Sequence, residues 1–237
     1  MLKLPDPKAD GPLGQIVAIL LDVTSRTEAT LAVSTCWGLG YGLVLLCTGM
    51  SNQSLHFVAM GRYYLVMAAV ALCLALGFRR ARKVGPRDAR RAQMWATLLA
   101  GLLLLVANAT IAVLVKGLVR GIDGRGSGLV QFIVQALYSM VLVGMTVRGF
   151  ALYGRGPSLL LATTKAVSVC KALMSLVFLT VTAAFTFGST GKPVRGLVEI
   201  GAKSLGNQVA VLSMAVAVWS IVRAVRGLAD HGAAGRR

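Results

Sequence analysis

The sequence predicts an all-α integral membrane protein, a bundle of about six transmembrane helices preceded by an N-terminal interfacial amphipathic helix. Composition is the first observation behind this. Hydrophobic residues make up 56% of the chain and charged residues 14%, with a mean hydropathy of +0.74; soluble domains average about 45–50% apolar and about 25% charged. The second is a set of six apolar stretches near 30–50, 63–78, 94–115, 128–147, 167–187 and 207–223. Each is close to the roughly 20 residues a helix needs to cross the hydrocarbon core. The third is charge placement: basic residues gather at the ends of the apolar runs, where headgroups and water can take them.

Residues 1–29 read as a cytoplasmic and interfacial segment. Asp6 and Asp10 stand where a secretory signal would be basic, and no small-residue cleavage site follows a short apolar run. Leu13, Ile16, Val17, Ile19, Leu20 and Leu21 then precede a polar stretch, the pattern of a short helix lying in the interface. The alternative is a cytosolic amphipathic helix that docks on a partner.

Residues 30–223 form the polytopic transmembrane domain. In the first run Ser34, Gly38 and Gly42 recur every four residues, a small-residue ridge that lets helix backbones approach closely. The second and sixth runs are the shortest, so Arg79 and Arg223 are expected to snorkel from their ends. Between the second and third runs, segment 77–93 carries Arg79, Arg80, Arg82, Lys83, Arg87, Arg90 and Arg91. It reads as a basic cytoplasmic loop anchored on anionic headgroups, or as a docking surface for a partner.

The third run contains Asn108, whose amide would be costly facing lipid. The fourth places Gln131 and Gln135 four residues apart, with Tyr138 and Ser139 near the same face. These residues suit packing between helices, or the lining of a permeation path. In the fifth run Lys171 is the one ionisable residue. A helix starting near Ala166 would let its ammonium snorkel to the inner interface, and this is the preferred expectation. A helix starting near Ser158 would bury Lys165 and Lys171 more deeply and require a partner or a wet cavity. Residues 224–237 read as a basic cytoplasmic tail.

Orientation follows from Lys and Arg. With the N-terminus inside, seventeen basic residues fall on the inner side and seven on the outer, so both termini are expected in the cytoplasm. The tripeptide Val-Arg-Gly occurs at 119–121, 147–149, 194–196 and 225–227. A cation in a last helical turn followed by glycine is the expected helix ending.

The sequence also argues against several functions. The eight acidic residues and both histidines lie outside the six runs, whereas ion-coupled transporters usually keep such a group within the membrane. No HExxH, GxSxG or paired carboxylates occur, and GRGSG at 124–128 lacks the ending of a phosphate loop. Cys36, Cys47, Cys73 and Cys170 show no metal spacing and read as buried small hydrophobes. No enzyme, catalytic residue, metal or cofactor is therefore expected. The net charge of +17 would suggest nucleic acid in a soluble protein, but here the membrane-flanking positions account for it, and direct nucleic-acid binding is not expected.

The stretch LVQFIVQALYSMVLVGMTVRGFALYGRG (129–156) carries Gly144, Arg148, Gly149, Phe150 and Tyr153 at the exit of the fourth run. It resembles inner-membrane subunits of conjugation-type (type IVB) secretion machinery, the IcmC/TraQ group, over about an eighth of the chain. The resemblance implies a non-enzymatic subunit of a transfer apparatus. The expected function is a non-catalytic polytopic protein of the bacterial inner membrane, partnered by anionic lipids and by other membrane subunits or its own copies. The alternative is a small transporter or channel for an uncharged or anionic solute.

Overall fold

The computed structural model describes residues 23–119, 128–152, 159–187 and 192–234, and these are helical apart from short connections. The helices are α1 (Val23–Ser51), α2 (Leu55–Lys83), α3 (Pro86–Val119), α4 (Leu129–Leu152), α5 (Leu159–Phe187) and α6 (Lys192–Ala234). Each contains an apolar window long enough to cross a membrane, from the 21 residues of Leu129–Gly149 to the 29 of Leu55–Lys83. The chain is thus a polytopic helical membrane protein, with six candidate spans among the described residues. Of the expected interfacial helix, residues 11–22 lie outside the described part. Residues 23–29, expected to lead into the first span, already belong to α1.

Burial separates central from peripheral helices. In α2 and α5, 61% and 56% of the apolar window is buried, against 28% in α1, 22% in α4 and 28% in α6. α2 packs on α1, α3 and α5, while α5 packs on α4, α6, α2 and α3, and α3 also packs on α6. Among the described residues, α1 meets only α2 at backbone range, and α4 only α5. A slot therefore runs between α1 and α4, floored by α2 and α5.

Small residues bring α1 and α2 together. A Cβ on Gly61 would lie 2.8 Å from the Gly42 carbonyl oxygen and 2.8 Å from the Leu46 nitrogen, and one on Gly49 would lie 2.6 Å from the Val58 nitrogen. Backbone touches backbone along this seam, which only glycine permits. The turn joining the two helices is equally tight. The Ser54 N–H donates to the Gly49 carbonyl at 2.8 Å and the Gln53 N–H to the Met50 carbonyl at 3.3 Å, while Gln53 adopts φ +52°. This is a Schellman ending with glutamine in the left-handed position that glycine usually takes.

The basic segment between α2 and α3 is not a loop. α2 continues to Lys83 and α3 starts at Pro86, leaving Val84 and Gly85 as the connection. Proline suits a helix's first position because its missing N–H would lack an intrahelical acceptor there. Arg80, Arg82 and Lys83 occupy the last turn of α2, and Asp88 the first turn of α3, each sign favourable to its helix dipole. Arg79, Arg80, Arg82, Lys83, Arg90 and Arg91 are exposed, Arg82 pairs with Glu28 of α1, and the Arg87 side chain lies outside the described part.

Other boundaries also move. Residues 224–234, expected as a tail, continue α6. The Val-Arg-Gly copies at 147–149 and 225–227, expected just past a span, lie within helices, as does the copy at 194–196, expected in the loop before the last span; Gly227 takes the Met94 side chain against its Cα. His56 and Arg62, expected in a loop, fall in the first turns of α2, where His56 is buried and Arg62 exposed. Glu28 falls inside the first span, Thr27–Ser51. In each case the polar residue continues a helix that its apolar neighbours have already nucleated.

Candidate functional site

The polar side chains of the interior converge on the slot. Gln135 of α4 is buried, and its carbonyl accepts the phenolic O–H of Tyr41 from α1. Its amide lies within donating reach of the Tyr64 hydroxyl at 3.2 Å, the Ser175 carbonyl at 3.3 Å and the Ser139 hydroxyl at 3.4 Å. Ser139 in turn donates to the Ser175 carbonyl at 3.0 Å. One amide thus links α1, α2, α4 and α5. An unpaired amide would be costly at this depth, which gives the cluster its positional specificity.

Aromatic rings enclose it. Tyr41 stacks on Tyr138 with centroids 4.4 Å apart, Tyr64 meets Tyr138 edge-on at 5.0 Å, and Phe178 meets Tyr64 at 5.5 Å. The Tyr138 hydroxyl is buried with no hydrogen-bond partner among the described residues. Above Tyr41 an open cleft of about 280 Å³ lies between α1 and α4, lined by Tyr41, Val44, Thr48, Gln131 and Val134 among others. Its lining extends from Tyr41 and Val134 to Thr48 near the end of α1 and Gly128 just before α4.

Lys171 lies beyond Tyr41, further from the cleft. α5 begins at Leu159, so the expected short helix and snorkelling lysine give way to the deeper arrangement. Lys171 is the central residue of the apolar window Leu159–Ala183, about 18 Å along the helix from Leu159. Its side chain is buried. α1 and α5 do not pack directly, and the ammonium crosses between them to donate to the Ser34 hydroxyl at 2.9 Å. Lys165, a turn and a half earlier, is half-buried.

Of the residues singled out in the sequence, Ser34, Gly38, Gln131, Gln135 and Lys171 thus border one slot, while Gly42 forms the α1–α2 seam beside it. Asn108 does not join them. It is buried between α3 and α6, where its amide N–H₂ can donate to the Ala210 carbonyl at 3.2 Å and its oxygen accept from the Met214 N–H at 2.9 Å. Tyr41, Tyr64 and Ser175 were missed. The signal for the tyrosines was their position: membrane tyrosines favour the interfaces, and these two lie well inside their spans. Ser175 contributes its backbone carbonyl, which no side-chain pattern discloses.

Among the described residues, no group of three or more His, Cys, Asp or Glu comes together to hold a metal. The site's chemistry is that of neutral donors and acceptors with one cation. Comparison of the chain with protein-family models, with curated proteins and with solved structures finds no match to any of them.

Proposed function

We propose that the protein is a small transporter or channel that passes an uncharged or anionic solute along the slot between α1, α2, α4 and α5. One observation carries this reading: an open cleft ends on a hydrogen-bonded Tyr41–Gln135–Tyr64 cluster, with a buried lysine beyond it. Ionisable groups inside a membrane generally mark solute or ion paths. In this reading both termini face the cytoplasm of a bacterial inner membrane. The exposed cations at the α2–α3 junction, which would then contact anionic headgroups, support that orientation.

The test is flux in liposomes containing the purified protein, with cleft-plugging variants. Val134 is exposed and lines the cleft beside Gln135, so Val134→Trp fills the cleft without disturbing the core. Swelling or flux assays with a panel of small neutral solutes and anions should show permeation that Val134→Trp cuts by roughly tenfold, about 1.4 kcal/mol on the barrier. Permeation by no solute, or undiminished permeation through the plugged variant, would rule out this path.

A second reading is a non-catalytic subunit of a membrane assembly, such as a conjugation or type IV secretion apparatus. The broad exposed faces of the peripheral helices favour it: Val33, Trp37, Val44 and Met50 on α1, with Val130, Leu137 and Met140 on α4. In that reading neighbouring subunits or further copies cover these faces. Purification in mild detergent discriminates, because a stoichiometric complex with other proteins supports the subunit and a self-sufficient conducting protein removes it.

A further inference from the structure

We propose that the cleft between α1 and α4 is a binding site for a small uncharged primary amide, which narrows the solute of the slot from two classes to one. The proposal rests on the transport reading and specifies what it carries. It follows from the hydrogen-bonding groups that the cleft still has to offer a ligand.

The side chains of the α1 wall offer acceptors. The Ser175 carbonyl can only accept, so it holds the nitrogen end of the Gln135 amide. The oxygen end is thereby turned to Tyr41, whose phenol must donate to it. Thr48 likewise commits its O–H to the Val44 carbonyl, at 2.8 Å. Tyr41 and Thr48 both line the cleft, and with their protons engaged each hydroxyl has only lone pairs for a ligand. A carboxylate, which only accepts, finds no donor in either.

The α4 wall offers a donor and an acceptor together. Gln131 lines the cleft, about one helical turn or 6 Å from Gln135 toward the start of α4. It enters no hydrogen bond among the described residues, so its carbonyl and its N–H₂ are both available. A second primary amide matches it group for group, donating to the Gln131 carbonyl and accepting from the Gln131 N–H₂. Its remaining N–H is then left to donate to a hydroxyl of α1.

Volume and charge set the remaining limits. The cleft holds about 280 Å³, at the small end of ligand pockets, and Val44, Leu45 and Val134 give it apolar walls suited to a short alkyl group. Among the described residues no charged side chain lines it, so an ion would shed water there without meeting a counter-charge. A cation would also face the Lys171 ammonium further along the slot. Thr48 follows Tyr41 by seven residues, about two turns or 10 Å, and that separation makes the two hydroxyls successive acceptors along the cleft.

Butyramide, butyrate and N,N-dimethylacetamide test this by equilibrium binding, independently of flux. Butyramide and butyrate differ by NH₂ against O⁻, and butyramide and N,N-dimethylacetamide are isomers with and without N–H donors. Saturation-transfer NMR on the full-length protein in detergent, corrected with protein-free micelles, measures weak binding of each. Butyramide should give a saturable signal with a Kd on the order of 10 mM, as its small size allows. Butyrate and N,N-dimethylacetamide should bind roughly tenfold more weakly or worse, because each leaves groups of the cleft unpaired. Gln131→Leu should weaken butyramide by roughly tenfold and remove its preference over the isomer. The comparison of the three probes on wild type decides the matter if that variant fails to fold. No saturable signal, equal binding of the two isomers, tighter binding of butyrate, or undiminished binding in folded Gln131→Leu would overturn the site. Neutral-solute flux that Val134→Trp blocks, with no preference for the amide, would remove this ligand class and leave the transport reading standing. Amide-selective binding without flux would do the reverse.

Discussion

Tyr41 of α1 donates its phenolic hydrogen to the carbonyl of Gln135 of α4, although the two helices share no backbone contact. The slot is held closed at that level by side chains alone. Tyr41→Phe keeps the ring stacked on Tyr138 and removes one hydrogen bond, so it should lower stability by about 1 kcal/mol. Gln135→Leu should cost more, about 2–3 kcal/mol, because it strands buried hydroxyls that Gln135 now satisfies. Thermal unfolding in detergent checks both. A smaller loss for Gln135→Leu than for Tyr41→Phe would show that the amide is not the hub.

The seam between α1 and α2 predicts a position-dependent cost for one methyl group. Gly61→Ala would press its Cβ against the Gly42 oxygen and the Leu46 nitrogen, atoms that cannot move without shifting a helix. Overpacking of this kind costs about 1–3 kcal/mol. Gly40 on the same helix as Gly42 has nothing within 4 Å of its Cβ direction, so Gly40→Ala should be neutral or slightly stabilising. Comparing the unfolding midpoints of the two variants separates close packing from generic helix propensity.

The six-helix class was legible because 20-residue apolar runs leave few alternatives. The ends of the helices were not. Lys83, Arg79 and Arg223 lower local hydropathy without interrupting a helix, so α2 and α6 read shorter than they are. Lys171 shows the same difficulty at greater depth. Whether it snorkels depends on where α5 starts, and the apolar residues Leu159, Leu160 and Leu161 are followed by Thr163, Thr164 and Lys165, which blur that boundary. Gln135 was recognisable as a buried amide, but its partners come from three other helices. Their convergence depends on helix order in space, which periodicity along one chain does not encode.

The α1–α2 turn supplies a stabilising prediction. Gln53 has φ +52°, in a region where a Cβ costs about 1–2 kcal/mol. Gln53→Gly removes that cost and gives back part of it through greater freedom of the unfolded chain. The net gain should be about 0.5–1 kcal/mol, seen as a higher Tm. A fall in Tm would mean that the Gln53 side chain contributes more than its backbone strain costs.

Asn108 offers the sharpest separation of packing from path. Its amide spans the Ala210 carbonyl and the Met214 N–H, two groups that an α-helix can pair with each other at i and i+4. Removing the amide therefore leaves neither group without a partner. Asn108→Leu should cost only about 0.6–1.7 kcal/mol, the range for polar contacts between membrane helices. Because Asn108 joins α3 to α6 rather than bordering the slot, the same variant should leave solute flux at wild-type levels. Flux measured beside Tm makes the distinction. Lost flux with unchanged Tm would move the path to the α3–α6 interface and away from Lys171.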